Sequence, residues 1–302
     1  MKKNLVVITG PTGSGKTALA IRIARQLGTE IVSADSRQVF REMRIGTAAP
    51  TPFELQQIPH HLVAHKSITE EYDVAAYLKE ARACIDNLFT RHQYVLVCGG
   101  SGLYIRALIN GIDEIPDVPE HIRNQVLIEY KEKGLQWLQN ETLQADPEWY
   151  ARADHQNHRR LIRCLEVYRA CGEKLSSYQS GITSDHNWNI IKFSTDVQIS
   201  VLYERINTRV DQMVKEGLFK EAEDLYPFRD LKALNTVGYQ EIFSHLDGTL
   251  TRADAINLIK QHSRNYAKRQ LTWFRKEPDL NRIKNSESEG ALSEIMTRIT
   301  MS

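Results

Sequence analysis

Leu5 to Thr9 form an unbroken apolar and β-branched run, Gly10 to Thr17 are turn formers, and Ala18 to Leu27 return to apolar residues at helical spacing until Gly28 stops them. The pattern predicts strand, loop and helix. A second short strand is expected over Glu30 to Ala34, ending at Asp35 and Ser36, and another over Tyr94 to Cys98, ending at Gly99 and Gly100. Helical spacing over Val74 to Phe89 lies between them. Strands alternating with helices predict an α/β core with a parallel sheet and helices on its faces.

From Ile115 to about Gln179 the periodicity becomes helical and highly charged, opened by the proline-punctuated stretch Ile115 to Pro119. That change predicts a helical insertion. Asn189 to Ser194 is a further strand that returns the chain to the core, and Leu202 to Phe274 is helical again, broken near Pro227 and at Gly248. The expected layout is a core of residues 1–114 and 185–284, a helical insertion domain of 115–184, and a polar tail of 285–302 closing with one weak helix.

Composition narrows the class without changing this layout. At 302 residues, with 41% hydrophobic and 25% charged positions, the chain fits an ordinary globular protein of roughly two domains. No apolar run approaches the ~18 residues of a spanning helix, and MKKNLVVITG is too short in apolar residues for a secretory signal, so a cytoplasmic protein is expected. The cysteines (Cys84, Cys98, Cys164, Cys171) show neither a C-x-x-C pair nor zinc-ligand spacing. A net charge of +1 carries no global signature of nucleic-acid binding. Any such surface must be local.

The chemistry begins at GPTGSGKT, comprising Gly10, Pro11, Thr12, Gly13, Ser14, Gly15, Lys16 and Thr17. It matches the phosphate-binding loop G-x-x-x-x-G-K-[ST] in the required context, after a strand and opening a helix. Glycines let successive backbone N–H groups face one point, the helix amino end adds partial positive charge, Lys16 reaches terminal phosphates, and the Thr17 hydroxyl faces a magnesium ion. A diphosphate or triphosphate ligand is expected. The fold class is therefore a P-loop NTPase-like parallel sheet with a helical insertion. Yet the strand VLVC runs into Gly99, Gly100, Ser101 and Gly102 with no carboxylate to hold magnesium, which weakens phosphoryl transfer. The carboxylate stands instead at Asp35, on the sheet edge where ligands bind. Asp35 is a general base facing the loop or simply a turn former.

The loop, followed in order by ADSRQVF (34–40), IGTAAP (45–50), HHL (60–62), GGSGLYIRAL (99–108), RRLIRCLEVYRACGEKLS (159–176), LYERINTRVDQMVKEGL (202–218), TVGYQEI (236–242) and YAKRQLTWFR (266–275), resembles the tRNA dimethylallyltransferases, also called tRNA isopentenyltransferases. The resemblance covers nearly the whole chain. It implies transfer of the dimethylallyl group from dimethylallyl diphosphate to N6 of adenosine 37, beside the anticodon, in tRNAs reading codons that start with U. Implied catalytic residues are Asp35, Lys16 and Thr17, with Mg2+ at Thr17, and the loop holds the donor diphosphate. Arg205 and Arg209 match R-I-x-x-R-V-D and are implied as further diphosphate contacts, or else lie on a solvated helix face.

Implied tRNA contacts are Asp35, Ser36, Arg37, Gln38, Ser101, Arg123, Arg159, Arg160, Leu161, Ile162, Arg163, Lys268, Arg269, Trp273 and Arg275. Arg37 stands where the family more often has methionine, and Ser101 where threonine is commoner. Basic residues interleaved with aromatics over Gln261 to Lys276 suit phosphate contacts and base stacking, the alternative being that Trp273 and Phe274 are core anchors. His60 and His61 are adjacent, so on a strand they would point to opposite faces, which favours structural roles over a shared metal. The partners implied are a tRNA anticodon stem-loop and dimethylallyl diphosphate, with no membrane, for a monomer. Competing readings are an adenylate isopentenyltransferase acting on free AMP, ADP or ATP, a P-loop kinase of a small metabolite, and a non-enzymatic tRNA-binding module.

Overall fold

The computed structural model describes residues 2–179, 186–284 and 288–301. The chain divides into two compact units, Met1–Ile109 with Asp185–Ser302, and Asn110–Ser184.

The first unit is built on a sheet whose described strands are β1 (Asn4–Thr9), β2 (Ile31–Ser33), β3 (His60–His61), β4 (Tyr94–Gly99), β5 (Asn189–Asp196) and β6 (Asn281–Lys284). They lie in the order β3-β2-β4-β1-β5-β6, every pair parallel. β1 is central, with Val6 opposite Leu96 on one side and Ile191 on the other. A strand buried on both faces needs apolar residues throughout, which explains the unbroken run at its start.

Alternation along β1 sends its side chains to different layers. Val6 and Ile8 pack with Leu96 and Phe193 beneath α1 (Lys16–Leu27) and α12 (Glu289–Thr300). Val7 turns to the opposite face, beside Ile105 of α4 (Gly102–Asn110) and Trp273 and Phe274 of α11 (Arg252–Arg275). The connections leaving β1 and β4 therefore run to opposite faces, and the crevice between two such diverging loops is where open α/β sheets bind ligands. Helices α2 (Pro52–Gln57) and α3 (Val74–Leu88) belong to the β2–β4 segment. A second apolar cluster joins Val39, Phe40 and Met43, just after β2, to α8 (Ile199–Glu216), α9 (Leu218–Leu225), α10 (Tyr239–Leu246) and α11.

The reading of 285–302 as a polar tail needs correction. In α12 the residues Ala291, Leu292, Ile295 and Ile299 are buried and join the main core, while Ser288 caps the helix by accepting from the Ala291 N–H at 3.1 Å. The stripe recurs at helical spacing, and the intervening polar residues occupy only its outer face. Residues 285–287 lie outside the described residues. Strand β6 also went unread, because in NRIK only Ile283 is buried and the alternation is too short to register.

The second unit comprises α5 (Glu120–Ala145), α6 (Pro147–Tyr150) and α7 (His158–Cys171), packed around Val126, Leu138, Trp149, Leu161 and Leu165. Gly134, at φ +78°, kinks α5. Buried Asp146 caps α6 through the Trp149 N–H at 3.0 Å and also accepts from Ser176 N and Oγ at 2.7 and 2.9 Å. Across the helix pair, Glu129 takes bonds from Arg169 Nη1 and Nη2 at 2.7 and 3.3 Å. The expected insertion runs to 184, and its last residues, 180–184, lie outside the described residues. Among the described residues no helix is long and apolar enough to cross a membrane.

Candidate active site

The phosphate loop occupies the turn between β1 and α1. Helix α1 is capped by Gly15 at φ +82° with no side-chain acceptor and no acid in its first turn. Its leading N–H groups therefore stay available to an anion. The loop is held from behind by β5: Thr195 Oγ1 bonds the buried Ser14 Oγ at 2.7 Å, and a Cβ on Gly10 would come within 2.1 Å of Thr195 Oγ1. Only glycine fits there. From α8, Leu202 and Ile206 pack against Gly13, and Arg209 Nη1 donates to Thr12 Oγ1 at 3.3 Å. Arg209 thus reaches the loop, while Arg205 lies one turn earlier on the same helix.

Lys16 Nζ donates to the Pro11 carbonyl at 3.4 Å. Burial pulls its ammonium below the ordinary lysine range, against the opposing pull of Cys98 and Asp35, and Arg209 lowers it further. A desolvated cation of this kind gains strongly from an incoming anion. Thr17 follows Lys16 in the first turn of α1.

Asp35 follows β2. Its Oδ1 accepts the N–H groups of Arg37 at 2.9 Å and Gln38 at 3.3 Å, the turn chemistry that Ser-Ala-Asp-Ser suggested. Its Oδ2 takes no hydrogen bond from the described residues. Asp35 acts electrostatically on Tyr104 and Tyr266, whose hydroxyls are raised to about 12, by desolvation first and with the carboxylate adding to each shift.

The residues after Asp35 are more fully engaged within the protein than the sequence suggested. The Arg37 guanidinium donates to the carbonyls of Lys232, Ala233 and Asn235 at 3.3, 3.0 and 3.3 Å. Gln38 Nε2 donates to the carbonyls of Thr47 and Ala48 at 3.2 and 2.9 Å, so the amide is oriented with Oε1 as its remaining acceptor. Ser101 Oγ accepts the Ser36 N–H at 2.9 Å and donates to Ser36 Oγ at 3.2 Å, bracing the Asp35 turn. The 45–48 segment is fixed in turn by Glu221, which accepts from the N–H groups of Ile45 and Gly46, each at 2.8 Å. His61 pairs with Glu30 at 2.6 Å and His60 with the Ile58 carbonyl at 2.8 Å, both structural contacts.

On α11, Lys268, Arg269 and Arg275 are exposed, and Trp273 is half-buried with its Nε1 against Gly102. In the second unit Arg159 and Arg160 are exposed on the first turn of α7. Leu161 and Ile162 are corrections: at 0% and 7% exposure their side chains belong to the core of that unit and not to a contact surface. Helical spacing turns those two inward as it turns the arginines outward. Arg163 lies 3.8 Å from the buried Glu166, whose pKa is raised by desolvation against the pull of Arg163 and Arg123.

Gln270 and Thr195 were missed. Gln270 is buried on α11 and bonds the phosphate loop, with Oε1 accepting the Thr12 N–H and Nε2 donating to the Gly100 carbonyl, both at 2.8 Å. The available signal was a lone amide on the apolar stripe Ala267, Gln270, Phe274. Thr195 carried none, since a threonine in a strand is ordinary.

The IPP transferase family profile matches residues 38–277. The chain is 45% identical over 280 residues to a tRNA dimethylallyltransferase of Christiangramia forsetii, covering 93% of each, and 44% identical to that of Flavobacterium johnsoniae, covering 91% of each. The fold resembles the full-length tRNA isopentenylpyrophosphate transferase of Bacillus halodurans with a TM-score of 0.73 at 35% identity, over 99% of this chain and 96% of that one. Sequence motifs, sheet topology and overall similarity converge, and the chain belongs to the tRNA dimethylallyltransferase (IPP transferase) family.

Proposed function

We propose that this chain transfers the dimethylallyl group from dimethylallyl diphosphate to N6 of adenosine 37 in tRNAs reading codons that start with U. The observation that carries the reading is the pairing of a half-tied carboxylate with a phosphate loop. Asp35 uses Oδ1 in its own turn, leaves Oδ2 open, and acts electrostatically on Lys16.

In the reaction the carbon–oxygen bond of the donor breaks, and its electron pair leaves with diphosphate. The N6 lone pair forms the new carbon–nitrogen bond, and a proton of N6 passes to Asp35 Oδ2. The amine is a poor nucleophile because its lone pair is delocalised into the ring, so a fixed carboxylate lowers the barrier by accepting that proton and orienting the group. The loop N–H groups and Lys16 stabilise charge growing on diphosphate, with Arg209 as a further contact. Reaching N6 requires the base to leave its stack, and Gln38 Oε1 suits the N6 donor edge of the extruded adenine.

Thr17 offers a hard oxygen donor, and among the described residues no cluster of three or more His, Cys, Asp or Glu is built to cage a metal alone. That donor set fits Mg2+ held mainly by the diphosphate, as is usual for this ion. Bound there, it would neutralise charge on the leaving group.

Basic side chains Arg159, Arg160, Lys268, Arg269 and Arg275, with Arg123 and Arg163 held near Glu166, would contact the anticodon stem-loop. A tRNA substrate implies a cytoplasmic protein, and we take it to act as a monomer. Incubation with labelled dimethylallyl diphosphate and Mg2+ in the presence of unmodified tRNA, AMP or neither tests the reading. Label is expected in tRNA at adenosine 37. Label in AMP alone, or phosphate transfer from ATP, would overturn it.

A further inference from the structure

The donor loop and the loop after β4 are joined by one side chain from a helix distant in sequence. Gln270 bridges the Thr12 N–H and the Gly100 carbonyl through two 2.8 Å bonds, at 6% exposure. The junction is close: a Cβ on Gly100 would meet Gln270 Nε2 at 2.5 Å. Thr12 lies in the first half of the loop, ahead of the N–H groups that open α1, and Gln270 fixes the direction of its peptide. The neighbouring side chains reach other loop atoms, Arg209 the Thr12 hydroxyl and Thr195 the Ser14 hydroxyl, and neither replaces the bond to the Thr12 N–H.

We propose that Gln270 is a positioning residue for diphosphate. By orienting the Thr12 peptide and tying it to Gly100, it sets the loop in its anion-receiving shape before the donor arrives. The proposal rests on the reading that the loop holds diphosphate. A loop already in its bound shape spends less binding free energy on ordering itself, which is the general advantage of preorganisation. An amide suits the task because it supplies one acceptor and one donor without placing charge beside the anion.

The test measures inorganic diphosphate binding by calorimetry, together with donor KM and kcat, for the parent, Gln270→Leu, Gln270→Glu and Lys16→Ala. Gln270→Leu removes both bonds. It is expected to weaken diphosphate binding on the order of tenfold, consistent with the loss of positioning hydrogen bonds, and to raise donor KM more than it lowers kcat. Gln270→Glu is an isostere of the amide when protonated, accepting from Thr12 and donating to Gly100, but when ionised it has no donor and adds negative charge. Its affinity relative to the parent at each pH should therefore recover as pH falls, while that of Gln270→Leu stays flat.

If Gln270→Leu only lowers the melting temperature and both Gln270 variants bind diphosphate as the parent does, the residue is structural and the proposal fails. If Lys16→Ala also binds diphosphate like the parent, the loop reading itself fails. Loss on Lys16→Ala with no loss on Gln270→Leu overturns only the present inference.

Discussion

At Asp35 the two carboxylate oxygens have different work. Oδ1 is engaged by two backbone N–H groups, which fixes the side chain in one orientation, and Oδ2 takes no hydrogen bond from the described residues. Asp35→Ala loses both functions, whereas Asp35→Asn keeps an oxygen for the turn and loses only the ability to take a proton. Both substitutions should lower single-turnover prenyl transfer by about 100-fold or more, the range for a lost general base, with diphosphate binding retained. Near-parent turnover in Asp35→Asn would assign the residue to the turn alone. The position of Asp35 was legible because a carboxylate ending a strand of a parallel sheet lies at the ligand edge. Gln270 was not, because its donor and acceptor partners, the Thr12 N–H and the Gly100 carbonyl, lie 258 and 170 residues away and no local pattern encodes such a pairing.

Among the elements, the pair α5 and α7 carries an ion cluster whose strength varies with pH. The bonds from Arg169, the largest influence, outweigh desolvation, the next largest, and with Lys133 hold the Glu129 carboxyl down at about 2. A carboxyl depressed in the folded state stabilises fully above its unfolded pKa of about 4.3 and loses that contribution as pH falls toward 2. Glu129→Gln should therefore reduce unfolding stability by roughly 1 kcal/mol at neutral pH, a value kept small because the cluster is partly solvated. The difference from the parent should shrink steadily between pH 4.5 and pH 2 in urea titrations followed by circular dichroism. A constant difference across that range would show that the loss is one of packing. Element legibility followed length. β1 and α1 announced themselves through sustained periodicity and a glycine stop, but β3 has two residues and β6 a single buried one, too few for any period to appear. α12 was legible only as a weak helix closing a polar tail, because its serines, threonines and glutamates obscured the regular apolar stripe that the core buries.

For the molecule as a whole, a net charge of +1 leaves no global field to gather RNA, so affinity must come from local groups. Arg159 and Arg160 are exposed, while Arg163 and Arg123 share the field of Glu166. Replacing Arg159 and Arg160 together by alanine should weaken tRNA binding and flatten its salt dependence, the slope of log K against log salt falling by about 0.7 for each phosphate no longer neutralised. Arg163→Ala should have the smaller effect. Filter binding over a salt series measures both, and an unaltered slope in the double variant would remove α7 from the RNA surface.

The sheet order has a consequence for how the protein comes into being. β1 pairs with residues 94–99 and 189–196, far along the chain, and the cluster over Val6 and Ile8 takes Leu19 and Ile23 from the nearby α1 but is completed only by Ile295 and Ile299. A nascent chain therefore keeps part of this apolar face open until α12 has been made, a state prone to self-association, and translation that stops short of α12 would leave that part uncovered.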